Sequence, residues 1–450
     1  MFTCRRIVYL LKIQAMAQPV SGFSRLSTEE KINWISQTFF DDAASAAALI
    51  RKYRNSDEAL QQLHDEFIEN TVTNYYLPLG IAPNFLINGR YYAVPMAIEE
   101  SSVVAAAAKA AKFWAERGGF TATILGTEKI GHVHFLYRGE KETLEHYFAR
   151  VKPKLLEATA ALTRNMEKRG GGITDIRLVD KTSEMPCYYQ LHATFQTKDS
   201  MGANFINSCL EAFARTLIAE APTFGISGDA LEIVMSILSN YVPNCVVRAE
   251  VSCPVEELAE KNIPDPERFA QRFVDAVRIA EIESYRAVTH NKGIMNGLDA
   301  VVIATGNDFR AVEAGVHAFA SRDGQYRSLS HAAIENGIFR FWMDVPLALG
   351  TVGGLTSLHP LVKLCLEMLG KPSAEELMKI AAVTGLAQNF AALRSLTTTG
   401  IQEGHMKMHL NNIINQFKAS KSEREQIRAH FADKTVSHAG VADYLATLRQ

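Results

Sequence analysis

The texture of the chain changes at Gly118 and changes back after Leu231, and that bracket constrains the fold more than any other feature. Inside it, residues 121–125 and 132–137 alternate apolar and polar like strands, and residues 142–168 carry a long charged amphipathic helix. Gly170-Gly171-Gly172 breaks that helix. Strands then follow at 173–179 and 188–196, with a second helix at 204–218. Two strands, a helix, two strands and a helix make a small α+β unit inserted into a larger one. On either side the texture is mainly helical. Ser27-Thr28-Glu29-Glu30 is a capping box, and helical spacing continues through residues 43–68. Residues 87–95 form a hairpin around Asn88-Gly89, and an alanine-rich helix spans 103–114.

A chain of 450 residues is too long for one core. The expected fold class is α+β. A large mixed helical and sheet domain (25–115 and 237–400) holds the small domain (116–236), a C-terminal helical flap spans 401–450, and residues 1–24 are an extension. Met16 is the expected natural start. With 47% hydrophobic and 21% charged residues, the composition is that of a globular protein. A net charge of −2 argues against a nucleic-acid-binding surface, and no stretch approaches membrane length. The six cysteines show no metal spacing and read as reduced thiols of a cytoplasmic protein.

The chemistry concentrates between Arg286 and Asp308. Asn291, Gly293 and Asn296-Gly297 place Lys292 on a tight loop, and the apolar run 300–305 reads as a buried strand. Gly306-Asn307-Asp308 ends that strand, so a lysine lies one strand from an aspartate. Asp308 either caps the helix that follows or sits beside Lys292 and tunes it. Glu69 stands at a helix-to-strand change, as a surface residue or a proton donor. His405 follows Gly404 in a polar tail, where a histidine on a flap delivers a proton late in a cycle. His405 and His409 share one helical face, but without a third ligand no metal is expected. Asp199-Ser200-Met201-Gly202-Ala203-Asn204 joins a strand to a helix, where backbone can approach a phosphate closely. No GxGxxG occurs, and Gly350-Thr351-Val352-Gly353-Gly354 lacks a Walker lysine, so neither a Rossmann fold nor phosphoryl transfer is supported.

Taken in order, Glu69-Asn70, the 199–204 loop, residues 289–297, Ala304-Thr305-Gly306-Asn307-Asp308, the 350–354 loop and Gly404-His405-Met406 resemble the soluble bacterial (class II) 3-hydroxy-3-methylglutaryl-CoA reductases over about residues 25–450. The resemblance implies that Glu69, Lys292, Asp308 and His405 carry the reaction. It implies that Arg286 binds the substrate carboxylate, Asn296 orients the lysine, and Thr71 and Gln388 line the acyl pocket. Asp199, Met201, Gly202, Ala203, Asn204 and Asn240 would touch the nicotinamide cofactor. Ser200, where many relatives have alanine, leaves NADH and NADPH both open. The small domain would be ferredoxin-like, and the site would form between the subunits of a homodimer.

The implied reaction is the two-stage reduction of a CoA thioester through a hemithioacetal and mevaldehyde to mevalonate, or its reverse. The alternatives are a lysine-dependent acyl-CoA lyase working through a Schiff base and a non-catalytic CoA-thioester sensor.

Overall fold

The computed structural model describes residues 20–398, 410, 413–431, 434 and 436–449. It divides into two compact units, one ending at Leu77 and the other beginning at Pro78.

The first unit carries α1 (Thr28–Phe39), α2 (Ala43–Lys52) and α3 (Glu58–Asp65). The Ser27 capping box closes as its sequence requires: the Ser27 hydroxyl accepts from the Glu30 amide, and the Glu30 carboxylate accepts from the Ser27 amide at 2.7 Å. Few side chains here are buried, so polar clamps hold the helices. Arg51 grips Glu29, and Arg54 binds Asp65 at 2.6 Å while also donating to the Val72 carbonyl.

The second unit opens with a hairpin, β1 (Leu79–Ile87) and β2 (Arg90–Ala97). Asn88 and Gly89 both take positive φ, 47° and 80°, as a tight two-residue turn demands. The Asn88 side chain also exchanges two 2.9 Å hydrogen bonds with the Ala122 backbone, tying the hairpin tip to the next strand. Helix α4 (Val103–Ala115) leads to β3 (Thr121–Ile124).

Next come β4 (Lys129–Tyr137), α5 (Lys141–Glu167), β5 (Gly172–Asp180), β6 (Tyr188–Gln196), α6 (Ala203–Glu220) and β7 (Leu231–Ser239). These strands form an antiparallel sheet in the order β5-β6-β4-β7. Alternation fixes its inner face: Val133, Phe135, Leu191 and Phe195 bury against Tyr147 and Val151 of α5 and Leu210 and Phe213 of α6. The first strand expected of this unit, β3, pairs elsewhere.

It joins β8 (Val246–Pro254), β10 (Ile338–Pro346) and β9 (Ser330–Glu335) in the order β3-β8-β10-β9. With only four residues, its sequence carries no sign of which sheet it enters. Against this second sheet lie α7 (Pro266–Ile282), α9 (Phe309–Ala320) and α12 (Ala374–Thr397), while α8 (Ser284–Ala304) and α11 (Pro360–Met368), which follows the one-turn α10 (Leu355–Leu358), pack on the β1-β2 hairpin. Trp114, Phe273, Phe339, Phe341 and Phe390 form the aromatic centre of this core. A Cβ at Gly297 would stand 2.6 Å from the Thr384 carbonyl, so glycine permits the close crossing of α8 and α12.

Two expectations are corrected here. The strand at 300–305 is the last part of helix α8, and Lys292 lies inside that helix rather than on a tight loop. A short apolar run looks alike in a buried strand and a buried helix. The deciding pattern is longer, with Ala287, His290, Ile294, Leu298 and Val301 buried at spacings of three and four. Asn296-Gly297 is accordingly a contact position and not a turn.

At the C-terminus, α13 (Lys421–His430) and α14 (His438–Leu448) share a small core with Ile413, Ile414, Ile427, Phe431, Val441 and Leu445. That stretch thus has apolar packing of its own, more than its polar composition indicates.

Candidate active site

Helix α8 carries three of the expected residues. Lys292 and Asn296 are one turn apart, so their side chains emerge together. Both meet the same atom. The Lys292 Nζ donates to Glu100 Oε2 at 2.5 Å, and the Asn296 Nδ2 donates to it at 3.3 Å. Glu100 stands in the turn between β2 and α4, where Ser102 takes a left-handed φ of 74°. A non-glycine residue in that region is strained, and such strain is found where surroundings fix a backbone for a purpose. The Lys292 side chain is 58% exposed, so its ammonium is open to a ligand while paired.

Arg286, nearer the start of α8, is half-buried, and burial lowers its pKa by disfavouring the charged guanidinium. Among the described residues no carboxylate lies within ion-pair distance of it. A half-buried cation without a counter-charge suits a substrate carboxylate. Gln388 of α12 is buried beside Gly297, and its Oε1 has no hydrogen-bond partner. A buried amide left unpaired is an unmet demand that a polar group on a ligand would satisfy.

Asp308 does the simpler of its two expected jobs. It caps α9, accepting from the Arg310 and Ala311 amides, and its other oxygen pairs with the Arg310 side chain at 3.0 Å. Glu69 and Thr71 lie in the first unit. Glu69 is exposed in a turn where Asn70 takes φ 58°, and the Thr71 hydroxyl donates to the Ile68 carbonyl. His405 lies outside the described residues.

The expected cofactor residues gather around a second feature. The Asp199 carboxylate accepts from the Ala374 amide at the start of α12, and its carbonyl accepts from the Thr351 amide. Asn307 Oδ1 accepts from the Gly350 amide at 2.8 Å, so the 199–204, 304–308 and 350–354 stretches meet. A Cβ at Gly350 would stand 2.5 Å from the Met201 nitrogen, which explains the glycine. Met201, Ala203 and Asn240 line a narrow cleft, which α9 closes from the other side. Gly202 and Asn204 flank it at the start of α6, with Gly202 at φ 93°. Amides at a helix start beside a glycine-shaped cleft fit a nucleotide phosphate.

Glu100 was missed. Its signal was the doublet Glu99-Glu100 between an extended stretch and the alanine-rich helix, a carboxylate at an element junction like the others.

Residues 27–410 match the family model of hydroxymethylglutaryl-coenzyme A reductase. The chain belongs to that family. It is 36% identical over 416 residues to the 3-hydroxy-3-methylglutaryl-coenzyme A reductase of Archaeoglobus fulgidus, covering 92% of this chain and 91% of that one. A solved class II reductase from Streptococcus pneumoniae, bound to NADPH in open conformations, superposes with a TM-score of 0.70 at 35% identity and covers 99% of both chains. Within the hydroxymethylglutaryl-CoA reductase family the likeness is to class II. Among the described residues no helix is long and apolar enough to cross a membrane.

Proposed function

We infer that the chain reduces 3-hydroxy-3-methylglutaryl-CoA to mevalonate and free CoA, consuming two reduced nicotinamide dinucleotides. Family membership favours this reductase over the lyase and the sensor. The observation that carries the mechanism is the meeting of Lys292, Asn296 and Glu100 at one carboxylate oxygen.

When bound, the reduced nicotinamide supplies hydride. The residues of the chain do the rest. Arg286 holds the free carboxylate of the substrate, and the Lys292 ammonium stabilises the negative charge that develops on the thioester oxygen. The resulting hemithioacetal collapses to mevaldehyde, and His405 protonates the departing CoA thiolate. Glu100 gives a proton to the aldehyde oxygen in the second stage, because it is the carboxylate already aligned with Lys292. It takes the role that the resemblance assigns to Glu69. Asp308 supports the site from the start of α9. Protons in such a cluster belong to the group as a whole.

The βαββαβ order of β4 to β7 supports a ferredoxin-like small domain for the nicotinamide dinucleotide, and the C-terminal segment serves as a flap carrying His405. A homodimer with shared active sites accounts for Tyr285 and Val288, apolar and 90% and 55% exposed, on either side of Arg286. Among the described residues five cysteines carry free thiols, in keeping with a reducing, cytoplasmic location.

The test is stoichiometric. Two nicotinamides oxidised per thioester consumed support the reading. Cleavage without nicotinamide oxidation, with substrate trapped on Lys292 by borohydride, would establish the lyase instead.

A further inference from the structure

Lys129 is the first residue of β4 and lines the cofactor cleft alongside Met201, Ala203 and Asn240. It is 5% exposed. Its ammonium donates to the Thr197 hydroxyl and, at 2.9 Å, to the Ser200 carbonyl, inside the loop that carries Met201 and Gly202. The Thr197 hydroxyl also donates to that carbonyl, so one carbonyl is held from two sides. Among the described residues no carboxylate lies within ion-pair distance of this lysine. Glu128, the preceding residue, accepts from the Asn244 side chain at 3.0 Å instead, Asp199 is turned away onto the Ala374 amide, and Lys198 is exposed. The loop before β8 presents Cys245, whose own thiol burial pushes up to about 11. Helices α6 and α9 present only Ala203, Ile206, Ala311, Val312 and Gly315 to the cleft. A buried lysine without a counter-charge is costly, and it persists where an anion compensates it.

We propose that Lys129 is a positioning residue for the nicotinamide cofactor: it pins the 199–204 loop through Ser200 and Thr197, and its charge in the cleft floor favours the anionic diphosphate of the dinucleotide. The inference rests on this cleft being the cofactor site. Burial lowers the Lys129 pKa to about 8, so the free protein loses the charge within an accessible pH range. A bound diphosphate stabilises the ammonium and raises that pKa. Binding therefore takes up protons near pH 8, and affinity falls as pH rises above it.

The experiment is titration calorimetry of NADPH and of NADH into the full chain between pH 7 and 9, in two buffers of different ionisation enthalpy. Wild type takes up protons near pH 8. Lys129→Met loses that uptake and binds about tenfold to a hundredfold more weakly, the scale of one charge-assisted hydrogen bond. Lys129→Arg keeps the affinity within about threefold but shows no uptake, because its charge does not titrate. A folded Lys129→Met with wild-type affinity would overturn the proposal. Where Lys129→Met fails to fold, Lys129→Arg decides, and persistence of the proton uptake overturns the proposal. Asn240→Ala separates the two levels. If it weakens binding and the Lys129 variants do not, only this inference fails; if none of these variants weakens binding, the cofactor cleft itself is misassigned.

Discussion

The amine of Lys292 and the carboxylate of Glu100 meet at 2.5 Å although 192 positions separate them in the chain. The contact joins the middle of α8 to the strained turn before α4, and Asn296 donates to the same oxygen. An ammonium held this way is oriented without being buried, which suits a group that must receive developing negative charge from a substrate.

Glu100→Gln removes the proton while keeping the shape and one hydrogen-bond acceptor. Mevaldehyde reduction should fall about a hundredfold or more, the typical worth of a positioned general acid. Glu69→Gln, assayed beside it, should leave aldehyde reduction near wild type. If Glu69→Gln stops aldehyde reduction and Glu100→Gln does not, the two roles are reversed.

His405→Gln separates the stages. Release of CoA needs a proton on its thiolate, and reduction of free mevaldehyde does not. Thioester turnover should drop by about two orders of magnitude with aldehyde turnover near wild type. Equal losses in both assays would show that His405 is not confined to the thiolate.

Gly350→Ala places a methyl 2.5 Å from the Met201 nitrogen. The cofactor loop must shift, at a cost of about 1–3 kcal/mol, and the KM for reduced nicotinamide should rise more than kcat falls. Unchanged melting and an unchanged KM would mean the three loops do not pack as described.

Asp299 of α8 is raised to about 8 by burial and by the neighbouring Glu313. The folded form therefore holds a proton that the unfolded chain has released above about pH 4. Stability should fall as pH rises through that window, by at most about 1.4 kcal/mol per pH unit for this one proton. Asp299→Asn should flatten the decline in thermal melts between pH 4.5 and 8. An identical slope in the variant would show that Asp299 titrates normally.

Local signals in the sequence carried much of the fold. The capping box at Ser27 closes as written, and Asn88-Gly89 turns the hairpin. Longer-range questions were not legible. Nothing local tells β3 that its partner is β8, and the glycine at 297 imitates a turn because the demand for it comes from α12. The site shows the same division. Lys292, Asn296 and Arg286 were visible as a dense polar cluster on one stretch, whereas Glu100 becomes evident only when a turn far away in the chain is brought to the amine.

The most direct measurement is single-turnover kinetics of Lys292→Ala with 3-hydroxy-3-methylglutaryl-CoA and, separately, with mevaldehyde, following nicotinamide oxidation. Loss of the stabilising cation should slow both reductions by at least about a hundredfold, with the melting temperature little changed for so exposed a side chain. A variant that reduces either substrate at close to the wild-type rate would contradict the role of Lys292.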